Sequence, residues 1–220
     1  MRRALVAAVL GLAAPAAAGT VAGRVDVLDK GGRRLTDLSD VVVYVEGARA
    51  RPRAAAAANP VIVMKGKSFS PRVAVVPVGG TVDFPNEDPI FHNAFSVSGE
   101  NRFDLQLYKR PKSGAQTFQH PGVVRVYCNI HPQMSAVVLV RDNPFFAKAA
   151  PDGSFTIEGV PAGRYKLTAW HDKAGETSQE VLVPSQGAVA AKPLSLDASG
   201  FKPMPHKNKF GKDYATDEKY

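Results

Sequence analysis

The single cysteine of this 220-residue chain lies in Cys128-Asn129-Ile130-His131-Pro132-Gln133-Met134. The spacing is C-x2-H-x2-M, which sets a thiol, an imidazole and a thioether within seven residues. Upstream, Phe91-His92-Asn93 offers a second imidazole. Soft sulfur favours Cu(I) and imidazole nitrogen favours Cu(II), so a thiolate, two imidazoles and a weak thioether suit a copper ion that changes charge without changing ligands. A thioether is a poor zinc ligand, which places copper ahead of zinc. The residues therefore predict one copper site, with His92, Cys128 and His131 as strong ligands and Met134 as the weak axial one. Ligation would also protect an unpaired thiol in an oxidising compartment.

Other chemistry finds little support. His120 precedes Pro121-Gly122 and reads as a turn residue. His171, after Trp170, reads as a surface or packing residue. His206 lies in a polar tail. No Ser/His/Asp order, carboxylate pair or phosphate loop stands out, so catalysis is not expected.

Three ligands in one short loop converge only if the chain turns between neighbouring strands, and the fourth must come from another strand start. The sequence supplies such elements. Hydrophobic residues make up 45% and charged residues 22%, enough apolar material for a core and too much for a disordered chain. Nineteen glycines and 17 prolines favour many short strands. An all-β chain is expected, without an amphipathic helix. Val21–27 and Val41–45 read as opening strands. A middle block offers strands at 61–64, 73–76, 81–84, 91–97, 117–118, 123–128 and 136–140, which suggests a β-sandwich. Residues 51–58 and 143–151 read as connectors. A third block begins at the turn Pro151-Asp152-Gly153 and has alternation around Phe155, Ile157, Tyr165 and Leu167, with last strands at 181–183 and 189–196. Residues 197–220 form a Lys-rich tail, expected to be solvated or loosely draped.

The middle block, residues 59–142, resembles the cupredoxins, the blue-copper family that includes amicyanin and plastocyanin. The likeness rests on the short C-x2-H-P-x-M loop, Gly79-Gly80-Thr81-Val82-Asp83-Phe84-Pro85-Asn86, His92-Asn93, and Pro121-Gly122 before Val123–Cys128. It implies a Greek-key β-sandwich holding one type 1 copper ion. It implies that the Asn93 backbone N–H donates to the Cys128 sulfur, and that Pro132, lacking an N–H, cannot add such a bond. It also implies that His131 reaches the surface as an electron exit, within an apolar rim of Ile130, Pro132, Pro89 and Ile90. Residues 151–196 resemble the carboxypeptidase regulatory-like, or transthyretin-like, sandwich through Asp152–Ile157 and Val160–Leu167. Residues 19–49 resemble its opening strands. The cupredoxin-like block is thus expected to be inserted in, or flanked by, a second small Ig-like sandwich.

Residues 1–18 read as a cleaved export signal: Arg2-Arg3, the apolar run Ala4 to Ala14, then Pro15 and an Ala-x-Ala site. The run is too short to span a bilayer. The chain is expected in the periplasm or outside the cell. The formal charge is +8, and +6 once Arg2 and Arg3 leave with the signal; this could favour an acidic partner, but the basic residues are scattered, which argues against nucleic acid. The expected partners are redox proteins, a c-type cytochrome or a dehydrogenase.

Overall fold

The computed structural model describes residues 18–49, 58–203 and 205–214. Most of the expected export signal, the Arg51-Pro52-Arg53 linker with nearly all of its alanine run, and the end of the tail lie outside these residues. Ala18, the last residue of the expected signal, opens the strand Ala18–Leu28. The described chain is all-β, with one short 3-10 turn at Gly99–Asn101. Among the described residues no helix is long and apolar enough to cross a membrane.

Strands from both ends of the chain share two sheets. In one, Ala18–Leu28 runs antiparallel to Ser154–Pro161 and parallel to Ala188–Ala190 and Leu194–Asp197. In the other, Val42–Glu46 lies between Phe146–Lys148 and Gly163–His171, and Gly175–Val183 completes the antiparallel order. Val21, Val25, Val43, Val45, Leu167 and Val181 fill the space between the sheets.

The intervening residues form their own sandwich. A five-stranded sheet runs in the order Val73–Pro77, Ser135–Arg141, Gly122–Tyr127, Phe95–Ser96, Phe103–Asp104. Facing ladders pair Thr81–Pro85 with Ser113–Thr117 and Val63–Met64 with Phe69–Ser70. Its core includes Ile62, Met64, Phe84, Phe118, Val126 and Val138.

A third apolar cluster joins the two units. Val42, Tyr44 and Trp170 meet Val73, Val75, Val137 and Leu139. This explains two continuous apolar runs. Successive strand residues face opposite ways. In Val42–Glu46, Val43 and Val45 therefore enter one core while Val42 and Tyr44 enter the joining cluster. In Ser135–Arg141, Ala136, Val138 and Val140 face the middle core, and Val137 and Leu139 face the neighbour.

Several boundaries differ from expectation. Of residues 91–97, only Phe95–Ser96 is strand, because the chain first bends to bring His92 against Tyr108. The expected pair 117–118 is the end of Ser113–Thr117, a polar strand whose side chains remain largely in solvent. The expected connector after Asn143 contains an edge strand, Phe146–Lys148. Gly175–Val183 starts six residues earlier than its apolar end suggests, since its first half is polar and outward. The last expected strand is split at Pro193, which has no N–H for the ladder.

Candidate metal centre

Gly122–Tyr127 and Ser135–Arg141 are antiparallel neighbours, and Tyr127 faces Ser135 in their last pair. Residues 128–134 are therefore the connection between them. The Met134 N–H donates to the His131 carbonyl at 3.0 Å, and the Cys128 N–H donates to the Met134 carbonyl at 3.3 Å. These bonds tighten the loop and turn His131 back towards Cys128. The second arm arrives beside it. His92 exchanges backbone hydrogen bonds with Tyr108 at 3.0 and 2.9 Å, and Phe95 pairs with Tyr127. The Asn93 side-chain oxygen accepts the Asn129 N–H at 2.7 Å, which ties this arm to the loop.

The result is a convergence of three donors. His92 Nδ1 lies 3.0 Å from His131 Nδ1, and Cys128 Sγ lies 3.7 Å from His131 Nδ1. Candidate ligand atoms of all three residues fall within 4.8 Å of one another, and all three residues are buried. Met134 is also fully buried, in the same apolar cluster as Cys128 and at the far end of the loop.

The donor set fits copper. Two imidazole nitrogens and one sulfur face each other in a buried cluster, a combination of soft and borderline ligands. His92 Nε2 is occupied by the Asp88 carboxylate at 2.8 Å, which leaves Nδ1 free for the other donors. Asp88 also accepts the N–H groups of Gly66 and Lys67 at 2.9 and 3.0 Å. Burial alone would raise its carboxyl pKa, but these donors and His92 overcome that and hold it down to about 2. Asp88 is thus a fixed negative charge behind His92. The sequence reading missed it, although the Asp88/His92 spacing of four was present.

The other ionisable groups are set by burial first. Burial raises the Cys128 thiol, opposed by the backbone N–H groups of Asn93, Ile130 and His131 facing the sulfur. Burial lowers His131, helped by nearby His92 and Lys67 and opposed by Asp88. A neutral imidazole is the form that can ligate.

His131 differs from expectation in exposure. It is 5% exposed, its ring packs edge-on against His92 at 4.7 Å, and its Nε2 is buried without a partner. Of the expected rim, Pro89 and Pro132 are exposed while Ile90 and Ile130 are half-buried; Ile130 packs on the core. Phe91, absent from that expectation, is 49% exposed beside His92.

The remaining histidines lie apart from the three donors. His120 sits at the surface, 3.4 Å from Glu100. His171 is buried at the end of Gly163–His171, its Nδ1 without a partner. His206 does not hang free: its Nε2 lies 2.7 Å from the Pro132 carbonyl. The tail expected to be loosely draped is docked on the ligand loop over residues 205–214.

Residues 124–190, under a third of the chain, match a family profile described as polysaccharide lyase family 4, domain II. The stretch runs from within Gly122–Tyr127 to the end of Ala188–Ala190, so it crosses both units. No curated protein matches the chain. Among solved structures, a Cu-containing nitrite reductase from Thermus scotoductus SA-01 is 29% identical over 44% of this chain, with a TM-score of 0.38. The likeness spans only 25% of that enzyme. A purple cupredoxin from Nitrosopumilus maritimus is 24% identical over 37% of this chain and 99% of its own, with a TM-score of 0.34. Amicyanin from Paracoccus versutus is 23% identical over 40% of this chain and 86% of its own, with a TM-score of 0.36.

Proposed function

We propose that the chain is an exported type 1 copper protein that carries single electrons and performs no reaction on a substrate. His92 and His131 would bind through Nδ1 and Cys128 through Sγ, with Met134 as the axial ligand. Bound copper supplies one-electron exchange between Cu(I) and Cu(II). The observation that carries the reading is the convergence of His92 Nδ1, His131 Nδ1 and Cys128 Sγ in a buried pocket. The protein's part is to hold those donors still. Asp88 orients the His92 ring, Asn93 fixes the two arms, and the N–H groups facing Cys128 stabilise its thiolate. Partners would be redox proteins, a c-type cytochrome or a dehydrogenase, met in the periplasm or outside the cell.

A second reading, copper delivery, draws on the burial of His131, which leaves little of the imidazole open to a redox partner. One experiment separates the two. The purified protein is loaded with Cu(II) and its visible spectrum recorded before and after a mild reductant. A carrier gives an intense blue thiolate-to-copper band that bleaches and returns reversibly, and Cys128→Ser abolishes it. A protein that holds only Cu(I) and releases it to an acceptor favours delivery. A colourless Cu(II) complex, or a band that survives Cys128→Ser, overturns the ligand assignment.

A further inference from the structure

We propose that the C-terminal segment 205–214 is a clasp that positions the ligand loop, with His206 and Tyr214 as its positioning residues. The proposal deepens the copper reading, on which its purpose rests. The contacts themselves involve the protein alone.

The clasp grips the loop at both ends of its ligand pair. The Tyr214 hydroxyl donates to the Cys128 carbonyl at 2.9 Å. His206 Nε2 lies 2.7 Å from the Pro132 carbonyl, and since a carbonyl only accepts, this nitrogen carries the proton. The two side chains are neighbours: the Tyr214 hydroxyl lies 3.1 Å from His206 Nδ1, and the rings meet edge to face with centroids 5.2 Å apart. The two gripped carbonyls belong to one proposed ligand, Cys128, and to the residue after another, His131. The His206 ring also stacks on Tyr127, immediately before Cys128, with centroids 3.9 Å apart and planes 19° apart.

A second grip reaches the other arm. The Lys209 N–H donates to the Asn129 side-chain oxygen at 2.9 Å, and its ammonium bonds Asp104 at 2.7 Å. Asp104 accepts from the Asn93 amide at 3.2 Å, and Asn93 accepts the Asn129 N–H. Lys209, Asp104, Asn93 and Asn129 therefore close a ring of hydrogen bonds that links the clasp to the residue after His92.

The segment is braced before it docks. Asn208 accepts the N–H groups of Phe210 and Lys212 on its side chain, its own N–H donates to the Lys212 carbonyl, and Gly211 turns the chain at a φ of +75°. A pre-formed turn loses less freedom on docking than an extended tail. No side chain of the clasp is among the converging donors. It acts through the loop backbone, and holds Cys128 and His131 in their places before any metal arrives.

The test uses the full-length chain and reads the thiol without metal. In the metal-free protein, the rate at which Cys128 reacts with a soluble aromatic disulfide reports local opening of the loop. His206→Ala/Tyr214→Phe is expected to raise that rate at least about tenfold while the urea midpoint of global unfolding stays in place. His206→Gln keeps an N–H donor for the Pro132 carbonyl and is expected to react close to the unmodified rate. With Cu(II) added, the double variant is expected to release metal faster to a chelator and to shift its visible band. Thiol reactivity within about twofold of the unmodified protein overturns the clasp, whatever the copper data show. If the unmodified protein takes no copper but the thiol opens as expected, the clasp stands and the copper reading fails. A variant that unfolds globally is replaced by Tyr214→Phe alone, which removes one hydroxyl, and the same rate criterion then decides.

Discussion

Asp88 decides which nitrogen of His92 faces the other donors. Its carboxylate accepts a hydrogen bond from the Nε2–H at 2.8 Å and thereby selects the tautomer with a bare Nδ1. Such outer partners are worth about 10–100-fold in metal affinity. Asp88→Ala is therefore expected to weaken copper binding about 10–100-fold in a chelator competition, and Asp88→Asn, which keeps one oxygen acceptor, less than that. Equal affinity in Asp88→Ala and the unmodified chain would show that the His92 ring is held by packing alone. At this scale the sequence was informative where the candidate ligands are neighbours. Cys128, His131 and Met134 lie in one loop, so their spacing announces a turn between strands. His92 was accessible because it opens a stretch of strand-like residues. Asp88 was not, because its contact depends on a turn that the Asn86 side chain pins through the carbonyls of Ile90 and Tyr108. The clasp was equally invisible. A polar, Lys-rich tail reads as solvated until specific acceptors, here loop carbonyls, are known to be within reach.

At the scale of elements, apolar alternation located the strands that bury a face and passed over those that do not. Ser113–Thr117 and the start of Gly175–Val183 are held by backbone pairing, and their side chains carry no core signal. Turn chemistry was more legible. Pro151-Asp152-Gly153 announces a tight turn, and Asp152 accepts both the N–H and hydroxyl of Ser154. Gly153 does more than turn. Its φ is +84°, its carbonyl accepts the Val25 N–H at 2.9 Å, and a Cβ there would collide with the Val25 carbonyl oxygen. A left-handed non-glycine residue costs about 1–3 kcal/mol before any clash. Gly153→Ala is thus expected to lose about 3 kcal/mol in urea unfolding, near or above the top of that range. Gly31 supplies the control. Its φ is +94° but nothing lies within 4 Å of its Cβ position, so Gly31→Ala should show the conformational cost alone, about 1 kcal/mol. Equal losses at the two positions would mean that the approach to Val25 is relieved by small backbone shifts.

The whole molecule depends on how the two sandwiches are joined, and a charge cluster beside the apolar one makes that joint sensitive to acid. Asp172, at the end of the strand Gly163–His171, bonds Arg72 at 2.8 Å and Arg125 at 2.8 Å, both from the middle sandwich. Its side chain is only 7% exposed. Burial pushes its pKa up, but the two guanidiniums outweigh burial and leave it below the usual carboxylate value. His171 beside it is pushed down by burial, opposed by Asp40 and Asp172. The sign follows. A carboxyl whose folded pKa is depressed contributes stability above its unfolded pKa, about 4, and loses it as pH falls through the folded value. Breaking a fully buried pair costs about 3–5 kcal/mol; both arginines here stay a third to a half exposed, so about 2 kcal/mol is expected for Asp172→Asn at pH 7. The variant's deficit should shrink towards zero as the unmodified protein is taken below the folded pKa, where its own Asp172 is protonated. Urea midpoints measured from pH 7 down to about 2 check this. A deficit that stays constant across that range would assign the loss to altered packing at residue 172 and not to its charge, and would leave the apolar cluster alone as the joint between the sandwiches.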